Sequence, residues 1–152
     1  MQIKTLKDLI DWTRHLHGHM AECMAQCATE HEETKARALL DYLATHEAEL
    51  EKTLEGFEKD GDAKALGTWI YDFLNQKPVE THRTCDLPYT KLDFNGIAHE
   101  VFDFHSQVIE LYEYLAKRAE VPETTELLDN LLRLERHEAM RLSREVGRMQ
   151  DV

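Results

Sequence analysis

Apolar residues recur every three or four positions in four long stretches of the chain, which is the period of an amphipathic helix. The pattern predicts helices over about 6–29, 35–59, 95–119 and 123–149. In the first stretch the apolar seam contains one ionisable member, His17, between Thr13 and Met20. In the last stretch Pro122 is well placed to open the helix, because proline is favoured in the first turn.

The connections between these stretches differ greatly in length. Short polar breaks separate the first helix from the second and the third from the fourth, which predicts two antiparallel hairpins at 6–59 and 95–149. Residues 60–94 form a long crossover in which 65–74 is expected to be a short helix. A four-helix bundle with one long crossover is the ferritin-like arrangement. We therefore predict an all-α fold with a single domain over 1–152.

The second hairpin repeats part of the first without a gap. The segment Leu-x-x-Leu-x-x-His-Glu-Ala occurs at 40–48 and again at 131–139, a separation of 91 positions. Two amphipathic helices agree at apolar positions in any case, but agreement at His-Glu within both seams favours an internal duplication.

The chain resembles the rubrerythrin branch of the ferritin-like superfamily. The resemblance is carried by residues 105–119, with Tyr112 seven positions after His105, and by residues 131–137. In that family one helix carries a ligand Glu seven residues before a Tyr, and the next carries Glu-x-x-His. The repeated hairpin completes a di-iron site, so the resemblance implies a ferritin-like fold and a metal site in the bundle centre.

The sequence departs from the family's ligand pattern. His105 stands at the Glu position of the third helix, and Arg14 stands at the matching position of the first. Leu43 and Leu134 replace the Glu of each Glu-x-x-His, whereas the two His members remain. A standard carboxylate-rich di-iron site is therefore not predicted.

The remaining ionisable residues of the seams form the main candidate site. We predict metal ligands at five positions, with His17 as a further candidate: His46, Glu47, His105, His137 and Glu138. Buried carboxylates are costly unless they are paired, protonated or metal-bound. Imidazole with carboxylate suits Fe, Mn or Zn. The alternative is a hydrogen-bonded His–Glu network without metal, or imidazoles of His46 and His137 that face solvent.

A second candidate is a stripe on the first helix, where neighbours four positions apart share a face. It consists of His15, His19, Cys23 and Cys27, with His31 one step further. His and Cys at this spacing can hold Zn or Cu, but small core residues are the commoner role of such cysteines. His82 and Cys85 lie in the crossover without partner spacing and are expected to be incidental.

Composition limits the partners and the location. The net charge of −12 disfavours nucleic acid, because phosphate backbones are repelled. No apolar run is long enough to cross a bilayer, and the N-terminus lacks a signal-peptide stretch. We expect a cytoplasmic protein with three reduced cysteines. We also expect a homodimer or larger assembly, with Trp69, Tyr71 and Phe73 as a possible contact.

The leading interpretation is a ferritin-like protein that binds one or two transition-metal ions in the bundle centre, with redox chemistry on iron or peroxide implied by the resemblance. Whether it is an enzyme is left open. The rival is a metal-free bundle that acts as an interaction or assembly module. Haemerythrin-like bundles also use His and carboxylate, but their spacing fails because Leu50 lies four positions after His46.

Overall fold

Four long helices account for most of the chain. The computed structural model describes residues 3–71 and 89–151. The elements are α1 (Leu6–Glu30), α2 (Thr34–Asp60), the short α3 (Ala63–Leu66), a 3-10 turn (Tyr89–Lys91), α4 (Phe94–Arg118) and α5 (Pro122–Gln150). The predicted all-α class, with two hairpins and a crossover that carries a short helix, is confirmed. The short helix lies at Ala63–Leu66 and not over the predicted 65–74, because it ends at Gly67 and residues 67–70 are not helical. Residues 72–74 lie outside the described ranges. The four long helices begin and end within one residue of the predicted positions.

Three-residue links at 31–33 and 119–121 make each hairpin antiparallel. Helix α1 packs along α2, and α4 packs along α5. The two hairpins then meet through contacts of α2 with α4 and α5. This arrangement places the middle of all four helices around one interior.

The helix starts are fixed by local chemistry at α1 and α4. Thr5 and Asp8 form a capping box in which each side chain accepts a hydrogen bond from the other's backbone N–H. Asp93 caps α4 by accepting from the Gly96 N–H at 2.7 Å. At α2 and α5 the capping residues Glu33 and Val121 make no such side-chain bond.

The interior is lined mainly by leucine, with aromatic residues contributed by α4. Leu39, Leu40 and Leu43 of α2 and Leu128 and Leu131 of α5 are almost fully buried. Burying each such side chain contributes about 1.5–3 kcal/mol relative to leaving it in water. This apolar burial is the environment in which the ionisable residues of the seams must be accommodated.

The described ends of the crossover are tied to the first hairpin. The Leu6 N–H donates to the Thr68 carbonyl, and the Ile70 N–H donates to the Lys4 carbonyl, both at 2.9 Å. At the other end His31 donates from Nε2 to the Leu92 carbonyl at 2.8 Å. None of the helices in the described ranges is long and apolar enough to cross a membrane.

The two hairpins match in length with an offset of 88 positions. Helices α1 and α4 both have 25 residues, and each begins and ends 88 positions from the other. Helix α5 likewise begins 88 positions after α2. The 91-position alignment predicted from the sequence is therefore wrong by three residues. A shift of three is nearly one helical turn, so it still places leucines on leucines and looks plausible in the sequence.

Candidate metal centre

Each long helix contributes one ionisable side chain to a cluster in the middle of the bundle. Helix α1 supplies His17, α2 supplies Glu47, α4 supplies His105 and α5 supplies Glu135. All four residues are at most 1% exposed. We refer to these four residues as the quartet. Their positions obey the 88-residue offset, so imidazole corresponds to imidazole and carboxylate to carboxylate.

The quartet is a closed ring of hydrogen bonds. His17 meets Glu47 through Nδ1 and Glu135 through Nε2, the latter at 3.1 Å. His105 meets Glu47 through Nε2 at 2.7 Å and Glu135 through Nδ1 at 3.1 Å. Four ring nitrogens thus face four carboxylate oxygens, one to one. No oxygen or nitrogen of the quartet is left without a partner.

The electrostatics of the ring favour the charged forms. Burial alone would lower the pKa of His17 and His105, but the two carboxylates outweigh it and raise these pKa values to about 9 and about 10. Burial would raise the pKa of Glu47 and Glu135, but the imidazoliums outweigh it. The pKa of Glu47 therefore falls well below its ordinary range, and that of Glu135 falls to about 2.

With two imidazoliums and two carboxylates the quartet has no net charge, and each N–H donates to one carboxylate oxygen. Neutrality and complete pairing explain how four ionisable groups are accommodated in an apolar interior. The same donor set can hold a metal ion: one ligand atom each from His17, Glu47 and His105 lie within 4.8 Å of one another. A divalent ion that replaces the two imidazolium protons leaves the net charge unchanged.

Aromatic residues of α4 enclose the quartet. Phe104 contacts both imidazoles edge-on, with ring centroids 5.4 Å from His17 and 5.5 Å from His105. Tyr112 is fully buried two turns after His105. Burial, with a contribution from the Glu135 carboxylate, raises the pKa of its phenol. This shell keeps the quartet in a low-dielectric environment, where both ion pairing and metal–ligand attraction are strong.

The structure brings together two of the five predicted ligands, Glu47 and His105. His46 and Glu138 are half-buried beside the quartet, and the His46 Nδ1 lies 4.0 Å from Glu138 Oε2. His137 is exposed on the outer side of α5. His46, His137 and Glu138 therefore lie outside the ring of hydrogen bonds that joins Glu47 and His105. Whether any of the five binds metal stays a prediction.

Helix geometry explains why the predicted and the observed clusters differ. The sequence alignment at 91 positions paired Glu47 with Glu138, whereas the offset of 88 pairs it with Glu135. Three residues turn a side chain by nearly a full turn but still displace it along the axis by about 4.5 Å. Sequence reasoning placed His17 in the seam of α1 but missed Glu135. The available signal was the common spacing of 30 between the His and the Glu of each hairpin.

The second predicted stripe does not converge on one point. His15 and His19 are exposed, whereas Cys23 is buried. The Cys23 Sγ lies 3.7 Å from His19 Nε2. Cys23 is disulfide-bonded and Cys27 is a free thiol, which departs from the expectation of three reduced cysteines. His82 and Cys85, like Phe73, lie outside the described residues.

No protein-family model matches the chain, and the comparisons with curated proteins and with solved structures gave no significant match.

Proposed function

We propose that this protein is a ferritin-like, transition-metal-binding four-helix bundle, and that the quartet is its metal site. The observation that carries the proposal is the meeting of two imidazoles and two carboxylates, one from each helix, in the apolar interior. Clusters of buried ionisable groups are more frequent at functional sites than elsewhere. The two donor types together suit first-row transition metals.

The spacing of the donor atoms fits a single divalent ion. Tetrahedral coordination with ligand bonds of about 2.0–2.2 Å places neighbouring donor atoms roughly 3.4 Å apart. Three of the four His–Glu contacts in the ring are 2.7–3.1 Å long, and one donor atom each from His17, Glu47 and His105 lie within 4.8 Å of one another. His17, Glu47 and His105 could therefore share one ion, and Glu135 contacts both imidazoles.

The donor count supports one ion over two. In ferritin-like di-metal sites two helices supply one Glu each, and the other two supply Glu-x-x-His. Here His17 and His105 lie on the two helices that would supply one Glu each in such a site. Glu47 and Glu135 lie on the two helices that would supply Glu-x-x-His. The residues three positions further are Leu50 and Glu138, so neither completes a Glu-x-x-His. Between Zn²⁺, Fe²⁺ and Mn²⁺, Zn²⁺ is expected to bind most tightly.

The burial of the quartet limits which molecules can reach a bound ion. Since all four side chains are almost inaccessible, a bound ion serves a structural role or reacts with molecules as small as dioxygen or peroxide. Redox chemistry of that kind is what the rubrerythrin resemblance implies. Such chemistry requires a redox-active ion such as iron at the site.

The second candidate function is that of a metal-free interaction or assembly module. It is favoured by the complete mutual pairing of the quartet, which needs no ion to satisfy its polar atoms. In that case the four side chains fix the relative register of the helices, as buried polar groups do in some bundles.

Metal binding separates the two functions. We expect protein purified without chelator to contain about one equivalent of a transition metal, following the four-ligand site argued above. Apo-protein titrated with Zn²⁺ and with Fe²⁺ should bind one ion per chain at micromolar concentration or below. The double variant His17→Ala/His105→Ala should lose this binding, and Glu47→Gln, which preserves the shape of the side chain, should weaken it strongly.

The matched control is His46→Ala/His137→Ala, which removes two imidazoles outside the quartet. Retention of one equivalent in this variant assigns the site to the quartet, whereas its loss would restore the ligands predicted from the sequence. If the unaltered protein takes up neither ion at micromolar concentration, the metal proposal fails and the interaction module replaces it.

A further inference from the structure

Helix α1 has no side chain at the position directly after the quartet residue His17. Gly18 follows His17, and the residue 88 positions later is Ser106, so the second hairpin has no counterpart to this glycine. A Cβ atom built on Gly18 would lie 2.7 Å from Glu51 Oε2, 2.8 Å from its Cδ and 3.0 Å from Oε1. The carboxylate of Glu51 therefore occupies the space that a side chain at position 18 would fill.

Glu51 is unusual among the carboxylates of α2. It is half-buried against α1 rather than extended into solvent, and it makes no hydrogen bond or ion pair with any residue in the described ranges. It lies one helical turn beyond Glu47, so the two residues share a face of α2. In the second hairpin the corresponding residue is Ala139, so this carboxylate occurs on one side of the bundle alone.

We propose that Glu51, seated in the gap left by Gly18, is the entry carboxylate through which a divalent cation reaches the quartet. This inference rests on the proposed metal function. An ion that enters the interior must shed water, and a partly buried carboxylate offers a ligand on the way. Because Gly18 has no side chain, the Glu51 carboxylate lies against the backbone of α1, one helical turn from the quartet residue Glu47.

Glu51 should affect the rate at which Zn²⁺ binds and not the set of residues that finally coordinate it. Stopped-flow measurement of Zn²⁺ uptake by the apo-protein should show that Glu51→Gln slows association by up to roughly tenfold, the lower end of the effect that charge-lined clefts have on association rates. Gly18→Ala keeps the charge but forces the carboxylate out of the gap, and it should slow uptake similarly. The double variant should be no slower than either single variant, because both remove the same feature. Zn²⁺ stoichiometry should stay at that of the unaltered protein in all three.

Glu55→Gln is the matched control, because Glu55 lies one turn further along α2, pairs with Lys59 and is exposed. It removes the same charge and should leave uptake nearly unchanged. If Glu51→Gln and Gly18→Ala both take up Zn²⁺ as fast as Glu55→Gln, the entry role is wrong while the metal site stands. If Gly18→Ala alters stability but not the rate of Zn²⁺ uptake, Gly18 only permits close packing of α1 on α2, and the entry role of the gap is wrong. If the unaltered protein binds no Zn²⁺, the proposed function itself has failed.

Discussion

At the scale of single residues, the stability of the bundle depends on completeness of the quartet. Each member has two partners, so removing one leaves two others with an unmatched nitrogen or oxygen in an apolar interior. Losing one partner of a buried ion pair is much more destabilising than replacing all partners by apolar groups. The quartet therefore behaves as a unit in which single substitutions are the severe ones.

We predict that Glu135→Gln lowers the free energy of unfolding of the apo-protein by roughly 3–5 kcal/mol, because it leaves a buried positive charge without compensation. Urea denaturation measures this directly. Glu113→Gln is the control, since this carboxylate is 38% exposed and pairs with the exposed Arg136. Its cost should stay below about 1 kcal/mol. Equal costs for the two variants would contradict the pairing described for Glu135.

Glu135 lies on a buried face of α5 that the spacing of apolar residues does not identify uniquely. The apolar period of the last helix predicts a seam through Leu134 and Glu138, whereas the buried face also contains Leu128, Leu132 and Glu135. Apolar residues at intervals of three and four are compatible with several neighbouring seams. The pattern thus indicates a buried stripe but leaves its centre uncertain by about one residue.

At the scale of elements, the helices differ in how their N-termini are satisfied. The capping box of α1 supplies partners for backbone N–H groups that the helix itself cannot satisfy. At the start of α2, Glu33 has the extended backbone of a capping residue but its side chain makes no cap bond. One helix of the first hairpin is therefore well capped and the other is not.

Substitutions at the N-caps of α1 and α2 should therefore change stability in opposite directions. Thr5→Ala should lower the free energy of unfolding by about 1 kcal/mol, whereas Glu33→Ser should raise it by roughly 0.5–1 kcal/mol, because serine is a good N-cap. Thermal and urea unfolding of the two variants test both signs. An unchanged stability in both would mean that the helix ends contribute little beside tertiary packing.

At the scale of the whole molecule, the raised pKa of the imidazoles and the lowered pKa of the carboxylates make stability depend on pH. In the unfolded chain His titrates near 6.5 and Glu near 4.5. The contribution of His17 and His105 is complete below pH 6.5 and is lost as pH rises through about 9 to 10. The contribution of Glu47 and Glu135 is complete above pH 4.5 and is lost in acid.

We predict that the apo-protein is most stable between about pH 4.5 and 6.5 and loses stability steadily towards pH 9. Zn²⁺ should act in the opposite direction, because binding displaces imidazolium protons and so strengthens as pH rises. Urea titrations across this range, with and without Zn²⁺, measure both trends. The exposed variant His137→Gln should keep the profile. A flat apo profile between pH 6.5 and 9 would contradict the charged quartet.

Self-association remains a prediction at this scale. Of the three aromatic residues expected to provide a contact, Trp69 is 54% exposed and Tyr71 packs against it with ring centroids 5.9 Å apart. An exposed tryptophan at the start of the crossover is consistent with a contact surface.

The sequence by itself determined the fold class, the four helices and their pairing into hairpins, because these depend on local periodicity and on link length. It also indicated that His and Glu lie in the interior, since His17, Glu47 and His105 occupy apolar seams. Only the tertiary structure decided which of them meet. The meeting of Glu135 with His17 depends on the axial register of one hairpin against the other, and an alignment that slips by three residues preserves the leucine pattern. Register between hairpins is set by packing of the complete core, which no single helix records in its own sequence.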